Sequence, residues 1–323
     1  SWKDAYRSLD TAMFNTNSGE IWVASGIYTP SIPINGDNDD RNVAFFFKPN
    51  VSCYGGFNGN EISKLERNIT LNLTVLSGDI GEKGNFQDNV YHVIYNDYDD
   101  LDTNAVFDGF VIYGAYGGSG WDDGSGGGLY LDKVGTPVIR NCIITNNKSS
   151  HGGGFSIDRS EPIIENNLIA NNEAYEGAGI LLGYSDAIIR YNKIVQNIAK
   201  GGYSALDGGG IAVESYSSPE IVGNLIANNK SGDEGGGIHL SSNYDVNVFN
   251  NIIINNESED GGGVFVDGTS TNFINNLIVK NKADESGGGI YMDYTGNTRL
   301  INNTVSLNTA SNGGGLYTVS YTH

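Results

Sequence analysis

From residue 126 onward, glycine triplets recur at a nearly constant spacing, and that regularity limits what this chain can fold into. The triplets begin at 126, 152, 177, 208, 235, 261, 287 and 313, so the steps are 26, 25, 31, 27, 26, 26 and 26 residues. Each opens a short alternating apolar run that often closes on an acid, as in Gly261-Gly262-Gly263-Val264-Phe265-Val266-Asp267. One copy reads Gly177-Ala178-Gly179. Self-similarity at this period marks a solenoid, in which each unit packs only on its neighbours, so the 323 residues need not divide into compact domains.

Between the triplets a nine-residue phrase returns. One copy reads Ile164-Glu165-Asn166-Asn167-Leu168-Ile169-Ala170-Asn171-Asn172, and others lie at 139–147, 189–197, 221–229, 248–256, 273–281 and 300–308. The fourth place is Asn in every copy but one, which has Cys142; the ninth is Asn throughout, from Asn147 to Asn308. The sixth is Ile or Val, from Ile144 to Val305, and a small side chain such as Ser149 or Ala174 stands two residues past the end. Asparagine tolerates left-handed backbone at a corner, and its amide both donates and accepts. Stacked one strand spacing apart, about 4.8 Å, such amides would bond up and down as ladders. One Ile or Val per turn would fill the axis, and the glycines would supply corner conformations closed to a Cβ. Short strands, frequent corners and no helical period predict an all-β fold: a right-handed, single-stranded parallel β-helix of about eleven rungs with a 26-residue period.

The ends are less regular. Ser1-Trp2-Lys3-Asp4 reads as a capping box, and Trp2, Ala5, Tyr6, Leu9, Ala12 and Met13 keep helical spacing, so a capping helix is expected within residues 1–19. Residues 20–105 read as irregular first rungs with loop insertions, including a polar excursion from Pro30 to Arg41 and an acidic loop from Asn96 to Asn104. Regular repeats are expected over 106–323. The last unit, Gly313 to Val319, runs into His323 with no cap. An open rung is an aggregation edge, so the expectation is truncation before a C-terminal cap, with further domains of the same polypeptide as neighbours.

These repeats resemble the right-handed parallel β-helix repeat superfamily. Their Gly-Gly-Gly-Ile and Asn-x-x-x-x-Asn grammar is also similar to the polymorphic outer-membrane-protein repeats of bacterial surface adhesins, without a strict Phe-x-x-Asn in every repeat. Trp2-Lys3-Asp4-Ala5-Tyr6-Arg7-Ser8-Leu9, Ile21-Trp22-Val23-Ala24-Ser25-Gly26-Ile27-Tyr28 and Tyr54-Gly55-Gly56-Phe57 resemble the N-terminal segment of secreted bacterial β-helix proteins. The resemblance spans essentially the whole chain and implies an extracellular or cell-surface module. It does not imply one activity, because this fold hosts lyases, hydrolases, epimerases and inert stalks. The Arg-x-Pro-x-x-Arg phrase of pectate lyases, the complete polygalacturonase set and the Asp-Pro-His of alginate epimerases are absent.

Charge narrows the partners. With 38 acids against 18 bases the net charge is −20, which argues against nucleic acid or an anionic membrane surface and is compatible with calcium. No apolar run is long enough to span a membrane. Cys53 and Cys142 fall in different repeats, and whether they pair stays open. Sequons such as Asn72-Leu73-Thr74 would carry glycans only in a host that glycosylates them.

In a β-helix one repeat position becomes one surface column. The outward place of the glycine strand reads Tyr130, Ser156, Leu181, Ala212, His239, Phe265, Tyr291, Tyr317. The next outward place reads Asp132, Asp158, Gly183, Glu214, Ser241, Asp267, Asp293, Val319, and Glu176, Asp207, Glu234 and Asp260 precede the glycines. The stripe His239-Phe265-Tyr291-Tyr317, bordered by acids, is therefore the candidate ligand-binding face for polysaccharide or cell-surface glycans. Adjacent Asp267 and Asp293 would either share a cation such as calcium or have one raised pKa. If the chain is an enzyme, Asp260, Asp267 and Asp293 are the catalytic candidates for a hydrolase or lyase, although nearby bases are few: Lys280, Lys282 and Arg299. His151 and His239 stand too far apart for zinc. Asp97, Asp99, Asp100 and Asp102 are spaced like a calcium loop but lack its glycine and closing Glu. The long repeat inserts Lys200 to Leu206, with Tyr203 placed to overhang the groove. The leading expectation is an adhesin-like or carbohydrate-binding scaffold without catalysis; a polysaccharide-degrading enzyme and an inert spacer are the alternatives, since aromatics favour strands and surface acids favour solubility in any β-helix.

Overall fold

In the computed structural model, which describes residues 2–36, 39–118, 124–201, 208–241, 245–294 and 296–319, the chain winds through three parallel sheets of ten, ten and nine strands. One coil shows the path. Phe155–Ser160 lies in the third sheet, Ile163–Glu165 in the first and Leu168–Ala170 in the second, and the chain rejoins the third at Ile180–Gly183. Like residues stack on like: Ile164 pairs with Ile139 and Ile189, and Ile169 with Ile144 and Ile194. These inward columns are fully buried, each side chain contributing roughly 1.5–3 kcal/mol. Ten strands stack in each of the first two sheets, against the eleven or so rungs expected.

The asparagine ladders form as the repeat predicts. Asn229 Nδ2 donates to Asn256 Oδ1 at 3.1 Å and to the Ile194 carbonyl at 2.9 Å, and its backbone N–H donates to the same Oδ1 at 2.9 Å. Its own Oδ1 accepts the backbone N–H and the Nδ2 of Asn197, both at 3.0 Å. Both amide hydrogens and both lone pairs are thus used in a site 1 % exposed. One ladder climbs from Asn147 to Asn308 and the other from Asn167 to Asn303. Cys142 holds the rung before Asn167: its N–H meets Asn167 Oδ1 at 2.9 Å, but its thiol turns to the Arg140 carbonyl, so the second ladder begins one coil later. Cys53 and Cys142 are both buried and free, and burial pushes both thiols up to about 12.

Corner and ladder are separate jobs. The left-handed residues are the ones just before the ladder asparagines: Asn166 and Asn171, with φ of 56° each, ahead of Asn167 and Asn172. That corner also accepts Tyr191, Gln196, Lys280 and Leu307, whereas the ladder place is Asn in every copy of the phrase except at Cys142. The glycine triplet divides in the same way. Gly261 takes φ of 62°, but Gly263 is needed for clearance, because a Cβ there would lie 2.5 Å from the Gly289 carbonyl oxygen of the next coil. Only the first glycine is a corner; the expectation that all of them serve corners is corrected.

The N-terminal helix is shorter than its spacing predicts. It runs Leu9–Asn15, with Ser8 as N-cap accepting from the Thr11 N–H, while Trp2–Asp4 is a separate 3-10 turn. Ser1 lies outside the described residues. Leu9, Ala12 and Met13 bury on the first coil, and Trp22 stacks on Phe57 at 4.9 Å. The Asp99 and Asp102 carboxylates are engaged within their own turn, with Asn96 and Asn104.

Replacing Asn229 by Asp removes two donors and sets an oxygen against the Ile194 carbonyl and Asn256 Oδ1. The expected loss is about 3–5 kcal/mol in urea unfolding. Lys280→Asn, at a corner, should leave the midpoint within about 0.5 kcal/mol of wild type. Equal effects at the two positions would refute the division between ladder and corner.

Candidate functional site

The outer side of the third sheet gathers most of the singled-out residues. His239, Phe265, Tyr291 and Tyr317 are register partners on successive strands, so their rings pile up along the axis. Centroids are 5.4, 4.7 and 5.2 Å apart, the first two pairs stacked and the last tilted by 33°. This pile occupies its own ring faces. His239 is fully buried and Phe265 is 5 % exposed; Tyr291 and Tyr317 are half-buried. A sugar cannot stack on the covered rings, so the sequence placed the right residues together but expected them more open than they are.

Acids flank the pile on both sides. Asp267 pairs in register with Asp293, and burial followed by the Asp293 carboxylate holds the Asp267 carboxyl above the usual range, while His239 draws it back. Asp293 Oδ1 is shielded from solvent without a hydrogen-bond partner. On the other flank Asp260 pairs through its backbone with Glu234, its carboxylate accepts the Ser286 N–H at 2.8 Å, and burial likewise raises its pKa. His239 Nε2 lies 3.1 Å from Glu234 Oε2. Tyr291 feels both flanks: burial, then Asp293 and Asp260, push its phenol up to about 12. Among the described residues no three or more His, Cys, Asp or Glu are arranged to hold a metal ion, so Asp267 and Asp293 remain a pair without a third ligand.

The same face carries charge chemistry nearer the N-terminus. Asp97, Asp132 and Asp158 continue the acid column in register. Lys133 Nζ is 3.0 Å from Asp132 Oδ2, and Arg159 Nη2 is 3.1 Å from Asp132 Oδ1 and also pairs with Asp158. These are the bases that reach the face. Of those expected, Arg299 sits in the first sheet, Lys280 at the corner after the second, and Lys282 pairs with Asp284 at 2.7 Å. A second ring pile, Tyr95 on Tyr130 at 5.0 Å with His92 against both, lies beside them. His151 stands 3.6 Å from Glu176, with its pKa lowered by burial. Asp207 and the insertion from Gly202 to Leu206, Tyr203 included, lie outside the described residues.

One column escaped the sequence reading. The residue that follows the acid place takes left-handed backbone: Tyr98, Lys133, Arg159, Tyr184, Ser215, Gly268 and Tyr294 have φ between 45° and 60°. Its tyrosines are exposed, Tyr98 by 71 %, Tyr184 by 54 % and Tyr294 by 61 %; Tyr216, one residue beyond the column at Ser215, also has left-handed φ of 61° and is 57 % exposed. Tyr184 and Tyr216 form a tilted pair at 6.1 Å. The dipeptides Asp97-Tyr98, Asp158-Arg159 and Asp293-Tyr294 were legible, but only the backbone shows that the corner residue, not the strand residue, is the exposed one.

The geometry defines a parallel β-helix with a ring-and-carboxylate face. The family model described as "Right handed beta helix region" matches residues 101–278 and 196–323, and the chain belongs to that family. Among solved structures, the chain is similar to the Azotobacter vinelandii mannuronan C-5 epimerase AlgE6 A-module at 15 % identity, with 97 % of this chain and 90 % of that one covered and a TM-score of 0.46. The AlgE4 A-module of the same organism aligns at 13 % identity over 97 % and 91 %, with a TM-score of 0.37. No curated protein sequence matches significantly.

Glu214 supplies a pH test. Burial, then the Glu176 carboxylate, push its carboxyl from the usual 4.5 up to about 8, and its Oε1 has no hydrogen-bond partner. Below 4.5 the folded and unfolded chains both keep this proton; above it only the folded chain does, until about 8. The contribution to stability therefore falls as pH rises through that window, by on the order of 4 kcal/mol. Glu214→Gln should be the more stable form at pH 8 and equal to wild type near pH 4. Parallel stability curves across that range would contradict this burial of Glu214.

Proposed function

We propose that this chain is an extracellular or cell-surface β-helix module that binds carbohydrate along the outer edge of the third sheet without cleaving it. The observation that carries the reading is the corner column. A tyrosine in left-handed backbone costs on the order of 1–3 kcal/mol, and Gly268 occupies the same place in another coil with no such cost. Tyr98, Tyr184 and Tyr294 bear that strain while exposing their rings. Left-handed backbone also occurs at the other corners, Tyr191 and Lys280 among them; what sets this column apart is that its rings border the acid column of the third sheet. Exposed rings offer stacking surface to the C–H side of a sugar, and the neighbouring carboxylates accept its hydroxyl hydrogens. Rings at this place in three coils, interspersed with Lys133, Arg159, Ser215 and Gly268, suit a linear polymer lying along the axis.

A second reading has one specific observation behind it. With its carboxyl pushed up to about 8, Glu214 stands protonated at neutral pH beside Glu176, the state that a glycosidic general acid requires. Under that reading the chain is a polysaccharide hydrolase, with Asp260, Asp267 and Asp293 on the same face.

Glycine is the informative substitution. Tyr184→Gly with Tyr216→Gly should keep stability equal or raise it by about 1 kcal/mol, while retention on insoluble polysaccharide is lost. Tyr191→Gly, at the corner between the first and second sheets, with φ of 58° and the ring 59 % exposed, should bind as wild type does. Undiminished retention in the double variant would remove the column from the reading. Shortened oligosaccharides, seen by mass spectrometry after incubation with a panel of neutral and uronate polymers, would favour the hydrolase.

A further inference from the structure

Three asparagines of one ladder also head the acceptor triplet for N-linked glycosylation: Asn147-Lys148-Ser149, Asn229-Lys230-Ser231 and Asn256-Glu257-Ser258. All three are at most 1 % exposed. Each Nδ2 donates twice, to the asparagine of the next coil and to the backbone carbonyl of the coil before. The space around the amide is closed as well. A single Cβ added at Gly128, Gly210 or Gly237 would already sit 3.1, 3.0 or 3.0 Å from the Nδ2 of Asn147, Asn229 or Asn256.

Glycan transfer joins Nδ2 to the anomeric carbon of the first sugar. The lipid-linked pyrophosphate leaves, and the amide nitrogen gives up one of its two protons. One donor is then gone, and a sugar ring stands where a methyl group barely fits. We infer that modification and folding are mutually exclusive at Asn147, Asn229 and Asn256. The chain reaches its fold only by a route on which these triplets meet no oligosaccharyl transferase before the coils close, and a secretory pathway that glycosylates nascent chains traps it unfolded. The inference rests on the ladder alone and stands whether or not the chain binds carbohydrate. Asn50 and Asn302, which head the sequons Asn50-Val51-Ser52 and Asn302-Asn303-Thr304, are exposed and accept a glycan without touching a ladder amide.

The repeat provides its own repair. Where the three triplets have Ser149, Ser231 and Ser258, other coils have Ala174, Ala199, Ala283 and Ala310, so Ser→Ala destroys the acceptor with a residue the fold already uses there. The full chain and its Ser149→Ala/Ser231→Ala/Ser258→Ala variant are expressed behind a secretion signal in a glycosylating eukaryotic host. Both are also made in bacterial cytoplasm, where they should unfold at similar temperatures. In the glycosylating host the wild-type chain should be retained, protease-sensitive and modified at Asn147, Asn229 or Asn256. The variant should be secreted and protease-resistant, with glycans confined to its remaining sequons. Secretion of folded wild-type protein, with the ladder sequons either empty or occupied, would overturn the inference. So would retention of the variant alongside the wild type, or retention of a wild-type chain bearing no ladder glycan.

Discussion

A buried primary amide that must satisfy two donors and two acceptors is the constraint on which this molecule rests. From Asn167 onward each coil places two such amides inside its corners, and each is completed by the coils on either side. The requirement fixes the stacking distance, forbids a register slip and makes every coil depend on its neighbour. Hydrophobic burial supplies the larger free energy, but isoleucine columns alone would tolerate sliding. The amides do not. Their role resembles that of a polar residue specifying register in a coiled coil, distributed along an entire solenoid.

Glycine completes the constraint from the opposite side. Coils close enough for the amides to meet leave no room for a Cβ at the third triplet position, where the next coil's carbonyl oxygen is 2.5 Å from the place a methyl would take at Gly263. The coil with Ala178 keeps the rule, because Ala178 is the second triplet residue and packs with Ala174 and Ala199, while a Cβ at the third residue, Gly179, would lie 2.3 Å from the Gly210 carbonyl oxygen.

On that rigid frame the outer face of the third sheet becomes a set of parallel columns, and their chemistry follows from stacking. Aromatic rings in adjacent coils cover one another and pass from binding surface to packing, as His239 and Phe265 do. Burial, and then a carboxylate in an adjacent coil, raise a carboxyl's affinity for protons, as at Asp267 beside Asp293 and at Glu214 near Glu176. At the corners, where the backbone turns left-handed and the side chain leaves the sheet, rings stay exposed to solvent, as at Tyr98, Tyr184 and Tyr294.

The sequence by itself determined the architecture, because a requirement met in every coil is written in every repeat. The period, the two ladders from Asn147 and Asn167, the apolar axis and the alignment of His239, Phe265, Tyr291 and Tyr317 could all be read from spacing. The division of labour within each Asn-Asn pair could not, since both residues are asparagine and only the backbone angle distinguishes Asn166 from Asn167. Nor could the start of the helix at Leu9: the apolar spacing runs back to Trp2, but the helix caps on Ser8 and buries only Leu9, Ala12 and Met13 on the first coil. Exposure of the stripe, the proton held by Glu214 and the open tyrosines were decided by the tertiary structure alone. Burial and pKa depend on what the neighbouring coil places a strand spacing away, and a single repeat carries no record of that.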